Sequence, residues 1–371
     1  MDHNIITIDP QSSTDLDDAM SLKDNVLSIY IANVPLLIEE LHVWPSFSNR
    51  ISTIYLPDRK CPMLPSILSE NLCSLLENEE RITFCMDITF NDENITDITF
   101  KNVLIKVKKN YIYEEPELLE DPYYQSILNK TGIISRKYKY VKELKDSHQL
   151  VAYLMILMNN ESAKEMSKYN NGIYRTLTLT QPSEKRSDLS NEIVDFIKIW
   201  QSSSGKYTNY EDKSSHDLIG DGMDNYLHIT SPIRRLVDLL NIIQLQQNLN
   251  LINLTTLGTV FYTKWYDQLE YINTSMRAIR KVQTDCNILN LCVNNEDILN
   301  KTYDGYIFDK IVRVNKFLQY TVYIPSIKII TRVNIKEDMP DYSCHKFKLY
   351  LIENGITLKR KIRAEIIYSS V

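Results

Sequence analysis

The chain lacks the cysteine patterns that announce a metal site or a disulfide framework. Its six cysteines (Cys61, Cys73, Cys85, Cys286, Cys292 and Cys344) form no C-x-x-C pair, and its six histidines show no ligand spacing. That argues against a structural zinc and against a disulfide-stapled fold. Long hydrophobic runs are missing too: the densest, LVAYLMILM, reaches about half a membrane span. The opening MDHNIITIDP has neither a basic segment nor a cleavable apolar one, so no secretory signal is read there. These absences lead to the expectation of a soluble, intracellular, cytoplasmic protein without a membrane partner. Glycine is scarce, eight in 371 residues, while Ile, Asn, Lys and Tyr are plentiful. That bias reflects AT-rich coding, would suit a chain encoded by a large DNA virus, and says little about the fold.

What is present suffices for a globular protein. Apolar residues make up 43% and aromatics 10%, over a length that accommodates one large domain and a small one. A net charge of −6 argues at first sight against a nucleic-acid partner, but the charge is unevenly spread. Residues 301–371 carry +6 and residues 1–300 carry −12. A basic C-terminal module on an acidic body fits a nucleic-acid binder, and an accident of surface composition gives the same asymmetry.

The first 110 residues read mainly as strands, with NVLSIYIANV, RITFCMDITF and NITDITFKNVLIKVKK rich in β-branched residues. Between them a proline-rich lead-in precedes a short helix expected at PSILSENLCSLL. Helical periodicity returns over 140–170, over PSEKRSDLSNEIVDFIKIW, from SPIRRLVDLLNIIQLQQNL and over roughly 260–293. Residues 201–225 are polar, hold three of the eight glycines and read as a loop. From about 300 the pattern turns to alternating strands, enough for a five-stranded OB-type barrel. The expected fold is therefore α+β, with a boundary near residue 300 separating a large domain (1–300) from a small barrel (301–371).

Two stretches carry chemistry. TIDPQSSTDLDDAM, residues 7–20, places Asp9, Asp15, Asp17 and Asp18 within ten positions with no Lys or Arg among them. Such carboxylates either face water in an acidic turn or surround a cation. Mg²⁺ takes oxygen ligands together with a substrate phosphate, and paired ions clamp both the attacking water and the leaving oxygen of a phosphodiester. An EF-hand loop is excluded, because counting from Asp15 neither the required Gly nor the Glu appears. The second stretch is YLHITSPIRRLVDLLN, residues 226–241. Here Ser231 reads as an N-cap and Pro232 as the first helical residue, which puts Arg234 and Arg235 in the first turn. The helix dipole disfavours cations there, whereas amides and a guanidinium fork together suit a phosphate. Asp238 reads as a brace for Arg234, or as an ordinary surface pair. Metal-holding carboxylates and phosphate-holding arginines together point to phosphodiester hydrolysis.

These two stretches resemble the signature segments of the ribonuclease II / ribonuclease R (RNB) family of 3′→5′ exoribonucleases. STIYLPDRKCPMLPSILSENLCSLLENEERITF is similar to a third block of that family, and YIYEE (111–115) and HQLVAYLMILMNNESA (148–163) follow in the family's order. The resemblance covers roughly residues 5 to 300, and the tail resembles the family's OB-type RNA-binding domain. It implies an RNB catalytic domain, a mixed sheet surrounded by helices, followed by that barrel. It also implies Mg²⁺ held by Asp9, Asp15, Asp17 and Asp18, with Asp17 the most critical for cleavage. Arg234 would grip the phosphate near the scissile bond, with Arg235 and Ser231 beside it. Tyr55, in YLPD, and Tyr113 would stack on RNA, Tyr113 setting where degradation stops. Single-stranded RNA would be the partner, and nucleoside 5′-monophosphates would leave one at a time.

The chain departs from the family pattern at several positions. Asn33 stands where the family usually has Asp, Ala152 and Tyr153 where it has a glutamate pair, and Ile279 roughly where another glutamate is expected. The glycine-rich loop before the arginine motif is altered to HDLIGDGMDNY. These positions bear on the grip on the terminal ribose and on rate more than on the chemistry. The sequence starts at the first motif, without the family's upstream cold-shock domains, so lower affinity for long RNA and less processive digestion are expected. A Mg²⁺-dependent exoribonuclease is the leading reading. A catalytically weak or inactive relative that binds RNA or a protein partner is the alternative. A small-molecule phosphodiesterase is discouraged by the basic barrel.

Overall fold

A computed structural model describes residues 4–46, 49–177, 189–190, 192–194, 196, 200, 205–217, 223–295, 297–312, 318–354 and 359–368. The chain forms two compact units, Met1–Ile54 with Cys61–Arg277, and Tyr55–Lys60 with Ala278–Val371. The helix expected over residues 182–200 lies largely outside the described residues, as does part of the loop expected over 201–225.

The larger unit is built on a six-stranded sheet. Its strands are β1 (Ile6–Asp9), β2 (Asp18–Lys23), β3 (Val26–Ala32), β6 (Glu80–Asn91), β7 (Asn94–Lys106) and β8 (Lys109–Ile112), in the order β7-β6-β3-β2-β1-β8. A short hairpin of β4 (Ile54–Tyr55) and β5 (Lys60–Cys61) and a two-stranded ribbon of β9 (Tyr174–Thr176) and β10 (Lys206–Thr208) complete the strands before residue 300. Every pairing in the main sheet is antiparallel except β1 with β8, so the sheet is mixed. Alternation along the strands sorts its faces. Ile6, Ile8, Met20, Leu27, Ile29, Ile31, Phe84, Met86 and Ile88 are buried against the apolar sides of helices Pro122–Ser135, Ser147–Ser167 and Leu236–Asn248. The opposite face is polar: Ser28 Oγ donates to Asp87 Oδ1 at 2.7 Å, and Ser21 Oγ and Tyr30 OH share a 2.9 Å bond.

Two expected helices take a different form. The short one after the proline-rich lead-in is a single π-helical stretch, Ile67–Leu72. The pattern over 140–170 becomes helical only at Ser147, because Asp146 has an extended backbone and its carboxylate caps the helix by accepting from Gln149 N–H at 2.7 Å. The span 260–293 contains two helices, Thr256–Tyr266 and Leu269–Asn294. No described helix is long and apolar enough to cross a membrane.

The smaller unit carries an all-antiparallel five-stranded barrel. Strands β11 (Thr302–Val312), β12 (Leu318–Ile324), β13 (Ile329–Ile335), β14 (Cys344–Asn354) and β15 (Lys359–Ile366) lie in the order β13-β12-β11-β14-β15, and β13 packs against β15 to close it nearly completely. Its interior is filled by Ile307, Tyr320, Val322, Ile324, Val333, Phe347 and Leu349. Gly305 permits the closest approach, since a Cβ there would meet the Phe347 ring at 2.7 Å. The architecture is the expected one: a mixed sheet with helices, followed by a small barrel.

Candidate active site

Strand β1 ends at Asp9 and the chain returns antiparallel as β2 beginning at Asp18, so these two carboxylates share one end of the sheet. The connecting loop is tied down from below. Ser13 N–H closes a turn onto Pro10 C=O at 2.9 Å, while Ser74 Oγ accepts from Leu16 N–H and donates to Thr14 C=O, both at 3.0 Å. The two Ser74 bonds come from the third of the sequence blocks. They bury Asp17 to 2% exposure and leave Asp9, Asp15 and Asp18 half-buried.

Asp17 is met by the second motif. Its Oδ1 accepts from Ile233 N–H at 2.8 Å and its Oδ2 from Arg234 Nε–H at 3.1 Å. Burial nonetheless wins over both bonds and pushes its carboxyl up to about 7, with Asp15 and Asp238 adding repulsion. Asp9 is raised to about 6, chiefly by burial, against the opposing pull of the Thr7 hydroxyl and Arg234. Asp18 is held well above the carboxylate range by burial and then by the charges of Asp9 and Asp17.

The arginine motif is not the first turn of a helix. That helix begins at Leu236, and Arg235 is its N-cap with extended backbone (φ −134°, ψ 124°). Tertiary pairing overrides local propensity: Thr53 N–H donates to Arg234 C=O and Leu236 N–H to Ile51 C=O, drawing residues 234–236 alongside residues 51–53. Ser231 is buried and does not cap the helix. Its N–H donates to Asp238 Oδ1 at 2.8 Å, and its hydroxyl accepts from Arg234 Nη2 at 3.0 Å. Asp238 braces Arg235, not Arg234, through an Nη2–Oδ1 contact of 2.7 Å. The anion seated at this turn is therefore Asp17, reached across 216 sequence positions. Arg234 keeps 44% of its side chain exposed and Arg235 24%.

Tyr113 joins the carboxylates through the parallel partner strand, its N–H donating to Asp9 C=O at 3.2 Å. Burial raises its hydroxyl, with the Asp18 and Asp9 charges as the next largest causes. Its ring stacks on His148, with centroids 3.9 Å apart and planes at 8°. His148 opens the block HQLVAYLMILMNNESA, and nothing in the sequence assigns it a role; it lies 35 positions from Tyr113 in the chain and precedes the apolar run of its helix. Tyr55 is 41% exposed and falls in the smaller unit, where its carbonyl accepts from Gln283 Nε2 at 3.2 Å.

The departures acquire structural roles. Asn33 caps helix Val34–Glu40, donates to Asn102 Oδ1 and exchanges amide bonds with Gln246. Tyr153 is fully buried in the main core, and Ala152 is exposed on the same helix. Part of HDLIGDGMDNY lies outside the described residues.

The carboxylates suit a hard divalent cation through two of their number. Asp9 Oδ2 is buried without a hydrogen-bond partner among the described residues, and Asp18 is electrostatically strained by Asp9, so a cation there would satisfy both. Among the described residues no three His, Cys, Asp or Glu side chains converge as a ready-made metal site. A Mg²⁺ ion needs only one or two carboxylates when water and phosphate complete its shell.

The RNB domain family matches residues 1–122 and 119–251 of the chain. Ribonuclease R of Chlamydia pneumoniae is 24% identical over 307 residues, an alignment covering 63% of this chain and 45% of that relative. The chain thus spans less than half the length of this curated relative. Among solved structures, Mycoplasma genitalium RNase R in complex with ribose-methylated single-stranded RNA superposes with a TM-score of 0.70 at 18% identity, covering 99% of this chain and 68% of that one. Yeast Ssd1, described as a pseudonuclease, gives a TM-score of 0.70 at 15% identity over 93% of this chain and 50% of its own. These structural likenesses show a shared fold.

Proposed function

Because the chain belongs to the RNB domain family, we propose that it is a Mg²⁺-dependent hydrolytic 3′→5′ exoribonuclease, releasing nucleoside 5′-monophosphates from single-stranded RNA. The observation that carries this reading is the meeting of Asp17 with Arg234 beside Asp9 and Asp18. Buried carboxylates and an arginine at one place form a seat for both a cation and a phosphate.

In this reading Asp9 and Asp18 hold the ion, which when bound neutralises phosphoryl charge and lowers the pKa of water. Asp17 orients Arg234 through Nε, and Ser231 holds Nη2 from the other side. The guanidinium is thereby presented edge-on to a phosphate oxygen. Arg235, paired with Asp238, holds the backbone on which Arg234 is carried. Tyr113 and Tyr55 supply stacking surfaces, which makes recognition tolerant of base sequence. The test is a 5′-labelled single-stranded RNA with Mg²⁺, comparing the chain with Asp17→Asn. A ladder shortening from the 3′ end, absent in the variant, is the expected result.

Binding of RNA without cleavage is the second reading. It is favoured by Ala152 and Tyr153, which put no carboxylate where the family resemblance calls for two, and by the shared fold of a protein described as a pseudonuclease. RNA retained by both forms and cut by neither would establish it.

A further inference from the structure

Tyr113 packs partly buried against the main core, in a segment tied down by side-chain hydrogen bonds. The next residue, Glu114, adopts a left-handed backbone (φ 56°), a conformation that costs a β-substituted residue free energy. Its carboxylate accepts from Ser147 N–H at 2.9 Å and from the Ser147 hydroxyl. Glu115 Oε1 accepts from Ile112 N–H at 2.8 Å, closing the turn from the other side. These bonds dock the end of β8 onto the first turn of helix Ser147–Ser167, the turn that carries His148. The stack follows from that docking: imidazole and phenol lie face to face at 3.9 Å. His148 is exposed, so the contact buries little and does not serve the core.

From this geometry we propose that His148 is a positioning residue for the terminal base of a bound RNA, acting by covering one face of Tyr113. The imidazole covers one face of the phenol and fixes the ring's plane, in a segment whose backbone is bonded to Asp9 through Tyr113 N–H. Aromatic side chains stack with any base, so a Tyr113 free to present either face would seat the RNA in more than one register. One covered face selects one register relative to the carboxylates. The inference rests on the exoribonuclease reading for its consequence, the end-point of digestion, but its physical content is a binding geometry that exists without cleavage.

The experiment uses a short single-stranded RNA carrying 2-aminopurine as its 3′-terminal base. In EDTA, stacking on Tyr113 quenches its fluorescence whether or not the protein cuts RNA. Three proteins are compared: the unmodified chain, His148→Ala and His148→Phe, the last keeping a flat ring. The expected result is quenching by the unmodified chain and affinity weakened about three- to tenfold in His148→Ala. His148→Phe should restore both. With Mg²⁺, His148→Ala should leave longer end products and raise KM for short RNA while kcat stays within about twofold. Equal quenching by the chain and His148→Ala, no quenching by the chain, or no rescue by His148→Phe would each overturn the proposal. Absence of cleavage by the unmodified chain, with quenching and rescue as expected, would overturn the nuclease reading alone.

Discussion

Arg234 reaches Asp17, 217 positions earlier in the chain, and keeps 44% of its side chain exposed, whereas its neighbour Arg235 turns back onto Asp238 three residues ahead and keeps 24%. The first pair joins two distant segments at the edge of water. The second pair is internal: Asp238 is fully buried, and both its Oδ2 and Arg235 Nε lack partners among the described residues. Adjacent arginines of one motif thus divide between site and scaffold. Extended backbone at Arg235 aims consecutive side chains to opposite sides. Sequence adjacency is consequently a poor guide to shared function here.

Three measurements test that division, beginning with the largest expected change in stability. Arg235→Ala leaves the Asp238 carboxylate buried without its counter-charge and should cost about 3–5 kcal/mol in urea unfolding. A loss below about 1 kcal/mol would break the comparison, because Arg235 would then be no more structural than Arg234.

The second measurement is the pH dependence of melting without divalent ions. Asp17 and Asp9 titrate near about 7 and about 6 in the fold and near 3.8 when unfolded. Between those values the folded state holds more protons, so their contribution to stability is full at low pH and is lost as pH rises through 6 to 7. His216 acts in the opposite sense. Burial first, then the Arg175 charge, lowers it to about 4, so its contribution is lost as pH falls from 6.5 towards 4. In EDTA the carboxylates should outweigh the histidine below neutrality, and stability should drop by on the order of 2–4 kcal/mol between about pH 5 and about pH 8, levelling off above about 7. Asp9→Asn should flatten the drop, and Mg²⁺ should reverse it by binding the ionised forms. A melting temperature that rises over this range would show that burial does not govern the cluster.

The smallest change in stability is expected for Arg234→Ala, about 1–2 kcal/mol, because Asp17, although buried, keeps its bond from Ile233 N–H and, with its carboxyl already raised to about 7, takes up a proton when the guanidinium is removed. RNA affinity and its salt dependence should fall together. Unaltered RNA binding with a large loss of stability would reverse the roles assigned to the two arginines.

Much of the fold was legible because its elements are regular. β3 and β6 are rich in β-branched and aromatic residues, the segment after residue 300 reads as strands, and the helix after Asp146 has an unbroken period. What misled was the local grammar of helix starts. Ser231-Pro232 has the form of a cap, yet a carboxylate from β1–β2 and a backbone from residues 51–53 compete for the same groups and win. The acidic cluster itself was visible; its division between Asp9 and Asp18, strained together, and Asp17, committed to Ile233 and Arg234, was not. Nor was the role of His148, since a histidine two residues before an apolar run carries no signal of what it will face.

The sequence by itself determined the strand and helix periods, the concentration of carboxylates on one loop, the basic barrel and membership in a family. Each of these is written in residues close together, where propensity, alternation and charge act over a few positions. Only the tertiary structure decided which oxygen of Asp17 meets which donor, why Arg235 serves the scaffold, and that Tyr113 has one face covered. Those outcomes depend on which groups lose water together, and burial raises the cost of every unmet polar atom until distant partners, not neighbours, settle the pairing.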